Sequence, residues 1–231
     1  MSRESSLSLY DGLGRRKYVT EQERDALIWT ASRADPIRRT FVLVLIHTGC
    51  RISEALVLRP AQIDIRGRAI TFRTLKKRGQ IVFRTVPVPY TLIVDLVRTF
   101  GLDPQGGSDQ GRLWPVTRNT AYRWVKNLMT LAKIPPGPHC CPKGLRHGYG
   151  INALLSGVDL KQVSDLMGHA DLSTTGIYAR ALGPEKRRIA KRMWRASPLQ
   201  WRRWLPPLMI VFAVWWESIL CRLKARKPDE Q

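Results

Sequence analysis

AQIDIRGRAITFRTLKKRGQIVFRTVPVP, residues 61–89, is where the apolar period of the chain drops to two. Ile, Thr, Val and Phe alternate with polar residues, the pattern of half-buried strands. Turn signals at Arg66-Gly67 and from Lys77 to Gly79 cut the stretch into three short antiparallel strands, near 62–65, 69–74 and 81–86. Pro87 and Pro89 end the sheet, because proline has no N–H to give to a ladder. On both sides the pattern is helical. Thr20, with Glu21 and Glu23, caps a first helix that buries Leu27 and Ile28. Asp35-Pro36 opens a second, apolar nearly all round through FVLVLIH and stopped by Gly49, so it belongs in the core. A third carries Arg51, Glu54 and Leu56, with Leu58 a candidate for its last turn. Downstream, helices are predicted over Thr91–Phe100, Thr117–Ala132, Leu145–Leu155 and Leu160–Met167, the last terminated by Gly168. A short helix from Ser173 carries Tyr178, and another covers about 184–196. The fold class is therefore α+β, mostly α-helical with a small three-stranded antiparallel sheet.

The charge narrows the partners. Thirty-nine Lys plus Arg against 18 Asp plus Glu leave a formal net charge of +21. A folded chain this basic attracts polyanions, so nucleic acid or an anionic membrane surface is the expected partner. The 44% hydrophobic and 25% charged fractions are ordinary for a folded protein and exclude wholesale disorder. The excess is spread over RGR (66–68), KKR (76–78), RR (187–188) and KARK (224–227), which suggests a basic surface with basic ends. The opening MSRESSLSLYDGLGRRKY has no apolar core segment, so a reducing cytoplasm and free thiols at Cys50, Cys140, Cys141 and Cys221 are expected. His139, Cys140 and Cys141 form a cluster with no second ligand pair at zinc spacing, and no metal is assigned there.

Six residues scattered over the chain, two arginines, a lysine, two histidines and a tyrosine, carry the chemistry. TGCRISEAL places Arg51 at a helix start with Glu54 one turn on, where a carboxylate can orient a guanidinium. The hairpin tip LKKRG presents Lys76 or Lys77. KGLRHGYG holds Arg146 and His147 at a helix start, and MGHADLSTTGIYAR holds His169 and Tyr178. Two arginines neutralise the non-bridging oxygens of a phosphodiester and never lose their protons. Fixed cations bind the more highly charged pentavalent transition state better than the ground state. A tyrosine hydroxyl in such a field is a workable nucleophile, and a lysine can protonate the leaving oxygen. Tyr122, Trp124 and Trp194 are read as core or as a DNA-facing edge.

TGCRISEAL, the hairpin lysine, GLRHGYG and LMGHADLSTTGIYAR, in this order and spacing, resemble the tyrosine recombinase (phage integrase) family over about residues 18–195. The resemblance implies a catalytic domain of the DNA breaking-rejoining fold that cuts one strand through a 3′-phosphotyrosine and rejoins it to another. It implies no metal or nucleotide cofactor, because the bond energy is kept in the phosphotyrosine. It also implies double-stranded DNA as substrate and a homotetramer on two DNA sites. By matched position, Arg51 and Arg146 clamp the scissile phosphate and Tyr178 is the nucleophile. His147 and His169 hydrogen-bond the phosphate or shuttle its protons. Lys76 is the general acid, with Lys77 the alternative, and Glu54 supports Arg51. The family usually has His three residues before the second Arg; here Lys143 stands there, which keeps a cation and loses a neutral proton acceptor. The alternatives are a DNA-binding or regulatory protein on the same scaffold and a strand-nicking topoisomerase.

The division expected along the chain is a flexible basic arm over 1–17, the catalytic domain over 18–198 and a tail over 199–231. The family's N-terminal clamp domain has no counterpart in a 17-residue arm, so an accessory DNA-binding protein is an expected partner. The tail's uninterrupted apolar run, Leu208–Trp216, is too short to span a bilayer. It reads as a helix docking on a neighbouring protomer or lying on a membrane surface. The expected location is cytoplasmic, with the nucleoid.

Overall fold

Thr20 starts the first helix by a reciprocal cap: its hydroxyl accepts from the Glu23 N–H at 3.3 Å, and the Glu23 carboxylate accepts from the Thr20 N–H at 3.0 Å. That helix, α1, is Glu21–Ala31, and it buries Leu27 and Ala31. Asp35 caps α2, Pro36–Thr48, and Gly49 closes it with φ +58, a left-handed turn that a side chain would resist. In α2 every residue from Thr40 to Ile46 is buried. It is the central helix, packed on α1 and on α4, α5 and α6 defined below. The computed structural model describes residues 8–75, 81–103, 111–169 and 172–179, all within one compact unit, Met1–Leu182.

The expected third helix is a single turn, α3, Ile52–Ala55, with Arg51 as its N-cap. The chain leaves it through Leu58, which is fully buried, to enter the sheet. Strands β1 (Ile63–Asp64), β2 (Ala69–Leu75) and β3 (Ile81–Pro87) lie antiparallel in that order. Register pairs Ile70 with Val86 and Phe72 with Arg84. Ile70, Phe72 and Val86 face the core, whereas Arg73, Phe83 and Thr85 face outward, as a two-residue period requires. Pro87 is the last residue of an edge strand, where a missing N–H does least harm.

Helices α4 (Tyr90–Phe100), α5 (Arg118–Leu131), α6 (Pro142–Leu155), α7 (Leu160–Met167) and α8 (Leu172–Ala179) complete the described unit. Helix α6 begins three residues before the expected Leu145, with Pro142 in its first turn. Trp114 joins α2 to α4: its indole N–H donates to the Ile37 carbonyl at 3.1 Å, and Phe41 and Phe100 meet it edge-on.

The described residues form two apolar clusters. The larger surrounds α2 and the inner face of the sheet. The smaller joins Ile151, Leu155, Val163, Met167, Ile177 and Tyr178 to Leu9 and Tyr18. Residues 8–17 are thus not the flexible arm expected of them. Leu9 is buried, Lys17 donates its N–H to the Leu9 carbonyl at 2.8 Å, and the side chain of Arg16 pairs with Glu23. The apolar Leu9 has a pocket to fill, which a count of polar and glycine residues does not reveal. The hairpin tip with Lys76 and Lys77, the helix expected over 184–196 and the tail over 199–231 lie outside the described residues.

Candidate active site

Two helix C-termini make the seat of Arg146. Gly49 and Gly168 both adopt the left-handed conformation that stops α2 and α7. The guanidinium of Arg146 donates to the Gly49 carbonyl and to the Met167 carbonyl, each at 2.6 Å. The negative ends of two helices therefore hold one buried cation. Burial, and then the nearby Arg51, lower its pKa to about 10, so it stays charged at neutral pH.

Arg51 follows Gly49 within two residues. The Glu54 carboxylate accepts from the Arg51 main-chain N–H and from its guanidinium, both at 2.8 Å. The Arg51 side chain remains 45% exposed. It is aimed by a carboxylate and open to a ligand, the arrangement expected of it. Burial alone would raise the Glu54 pKa; Arg84, ahead of Arg51, holds it below its ordinary value.

Three glycines of α6 let other groups reach its backbone. A Cβ on Gly144 would lie 1.9 Å from the His139 carbonyl oxygen, and one on Gly148 would lie 2.5 Å from that of Val19. A Cβ on Gly150 would lie 2.6 Å from the Tyr178 ring. The spacing in GLRHGYG thus positions the helix and the nucleophile candidate together.

Tyr178 is 2% exposed and its hydroxyl lies 3.1 Å from His147 Nδ1. His169 holds the Thr175 hydroxyl at 2.7 Å through Nδ1 and stacks on the Tyr178 ring, 6.2 Å between centroids. Burial pushes the phenol up to about 12, although Arg146 and Arg51 pull it down. Burial, then Lys143 and Arg146, bring His147 down to about 4; burial, then Arg146 and Arg51, bring His169 down to about 3. With values near 12 and 4, the pair rests as phenol and neutral imidazole.

One cleft of about 480 Å³ gathers these groups: Arg51, Lys143, Arg146, His147, His169 and Tyr178 all line it. Sequence reasoning had named each. His147, expected to hydrogen-bond the phosphate or shuttle its protons, has its Nδ1 on the Tyr178 hydroxyl. Sequence reasoning missed Arg118 in the cleft wall and Arg84 behind Glu54. Arg118 follows the N-cap Thr117, an ordinary surface position until α5 is packed beside the cleft. Tyr122, read as core or edge, lines the same wall, whereas Trp124 packs edge-on against Phe41.

The four histidines, His47, His139, His147 and His169, all sit below the ordinary 6.5, with burial the first cause in each. The unfolded chain therefore binds protons that the folded chain refuses, and stability falls with pH from about 7 toward 4. Each proton contributes a slope of at most about 1.4 kcal/mol per pH unit. Thermal melts are expected to show a lower Tm at pH 5 than at pH 7.5, with a shallower drop in His147→Gln; an equal or higher Tm at pH 5 contradicts the assignment.

Three guanidiniums, two imidazoles, a lysine and two tyrosines line one cleft, a set of groups chemically able to bind an anion and to supply a nucleophile. The chain belongs to the phage integrase family, whose sequence model matches residues 17–183. A tyrosine recombinase of Thermosipho africanus (strain TCF52B) is 32% identical over 178 residues, which cover 76% of this chain and 61% of that protein. The chain thus spans about 61% of that relative's length. The crystal structure of XerA recombinase matches with a TM-score of 0.64 and 26% identity, over 76% of this chain and 64% of that one. XerH recombinase bound to its difH substrate before cleavage matches in fold at a TM-score of 0.59 and 17% identity, over 71% of this chain and 50% of that one. The mostly helical fold with its three-stranded sheet is that of tyrosine recombinase catalytic domains.

Proposed function

We propose that the protein is a site-specific DNA recombinase that cuts and rejoins strands through a 3′-phosphotyrosine. The observation that carries this reading is the single cleft holding Arg51, Arg146, His147, His169 and Tyr178. Arg51 and Arg146 bind the non-bridging oxygens of the scissile phosphate. The Tyr178 oxygen bonds to phosphorus as the P–O5′ bond breaks, and its proton passes to His147 at 3.1 Å. His169 donates to the phosphorane, and Lys143 adds positive charge. The leaving 5′ oxygen takes its proton from Lys76 or Lys77. Attack by the 5′ hydroxyl of another strand reverses the step and releases Tyr178.

The net charge of +21 supports duplex DNA as the substrate, as does the difH DNA held by XerH. The same reading carries a homotetramer on two DNA sites in the cytoplasm, with any accessory DNA-binding protein and the tail as assembly elements. The test uses a pool of nicked duplexes of randomised sequence that lose a short 5′ fragment on cleavage. A detergent-stable protein–DNA adduct with enriched sequences is expected. Binding of duplex DNA without any adduct would mean a binding protein on this scaffold, and supercoil relaxation without recombinants would mean a topoisomerase.

Gly150→Ala tests the placement of the nucleophile. Alanine in mid-helix ordinarily gains about 1 kcal/mol over glycine. Here the new Cβ meets a ring at 2.6 Å in a packed site, where overpacking costs about 1–3 kcal/mol, so the net sign is destabilising. A displaced nucleophile is expected to slow adduct formation about 100-fold. A wild-type rate would show that Tyr178 does not react from this position.

A further inference from the structure

Residue 84 is a cation at a core-facing position of β3. It pairs across the ladder with Phe72, which is fully buried, and its own side chain is 8% exposed. A guanidinium left there without partners would be strongly destabilising. Its contacts are specific. It forks onto Glu54, with Nη2 at 2.6 Å from Oε2 and Nη1 at 3.3 Å from Oε1. Its Nε donates to the Leu166 carbonyl at 3.0 Å, and its Cζ lies 4.9 Å from the centroid of the Phe72 ring. A Cβ on Gly168 would lie 2.9 Å from Nη1, so the αL cap of α7 is pressed against it.

These partners lead to both sides of the cleft. Glu54 is the carboxylate that holds the Arg51 backbone and guanidinium. Leu166 precedes Met167, whose carbonyl seats Arg146, and three residues on comes His169. Arg84 itself is not among the residues lining the cleft. We propose that Arg84 is a positioning residue: by gripping Glu54 and the end of α7 at once, it sets the spacing between the Arg51 wall and the Arg146–His169 wall of the phosphate clamp. This rests on the recombinase reading above. A lysine cannot replace it, because one ammonium cannot supply a two-pronged grip on a carboxylate together with a third bond in the same plane.

The test is single-turnover cleavage by the full chain on a duplex trapped from the nicked pool, with protein saturating. Arg84→Lys is expected to bind that duplex within about twofold of wild type and to cleave it about 100-fold more slowly. A scissile methylphosphonate, which lacks one of the charges the clamp neutralises, is expected to narrow that gap to below about tenfold. A bridging sulfur at the 5′ position, which needs no proton to leave, is expected to leave the gap unchanged. Glu54→Gln is expected to behave likewise, and the double variant to be no worse than the slower single. Rescue by the sulfur and not by the methylphosphonate overturns the proposal, as do additive effects in the double variant. So does a lowered Tm with unchanged cleavage per folded molecule, which would make Arg84 a structural residue only. No adduct from the wild-type chain would refute the recombinase reading itself.

Discussion

Tyr178→Phe is expected to lose the covalent protein–DNA product completely while still binding duplex DNA. The substitution removes one oxygen and keeps the ring, which fills the groove left by Gly150 and stacks on His169. The fold should survive, because the lost group is one hydrogen bond to His147, and a buried imidazole left without it costs about 1–3 kcal/mol. The chemistry should not survive. Cys50 also lines the cleft, but its buried thiol is hydrogen-bonded with the Thr48 side chain, whereas the Tyr178 hydroxyl has the His147 imidazole to take its proton. Detergent gels of the nicked-duplex reaction are the measurement. An adduct from the phenylalanine variant would assign the nucleophile elsewhere.

Arg146 carries the next largest effect. Arg146→Ala removes a cation from the phosphate and strips both helix ends of their donor, Gly49 on one side and Met167 on the other. Removing one preorganised donor or cation of this kind costs about 10³-fold in rate or more. Binding should persist, since the formal charge falls only by one from +21, that is, 21 − 1 = +20. Arg146→Lys separates charge from geometry. It keeps the cation but cannot reach two carbonyls and a phosphate together, so at least a 100-fold loss in cleavage is expected. A near wild-type rate in Arg146→Lys would show that any positive charge suffices at this position.

The values of about 4 for His147 and about 12 for Tyr178 leave both groups neutral near pH 7. The pH dependence expected of folding has its origin in the burial that disfavours charge on the histidines.

Several features were legible because they are local. Gly49, Asp35-Pro36, the Thr20–Glu23 box and the alternation through 61–89 each act within one turn or one strand pair, so residue type and spacing suffice. The start of α6 was misjudged by three residues because Cys141 carries no capping signal, only an extended backbone before Pro142. The third helix shrank to one turn because the chain must bury Leu58 on its way into the sheet, a demand set by packing.

Residues 8–17 show the same limit from the other side. Their composition is that of a tail, but Leu9 and Tyr18 find cover against the cluster that carries Tyr178. Arg84 reads as one more charge on a basic hairpin, and its burial depends on Glu54, thirty positions away. His147 meets Tyr178 across thirty-one positions, and Arg118 reaches the cleft only once α5 is docked. The chain alone specified its α+β class, its caps and turns, and the residue types able to hold a phosphate and attack it. Folding decided which nitrogen faces the tyrosine and which cation stands behind the carboxylate that aims Arg51. The reason is physical: periodicity and capping are short-range, whereas the spacing of a phosphate clamp is set by helix ends and strand faces that meet only when the core closes.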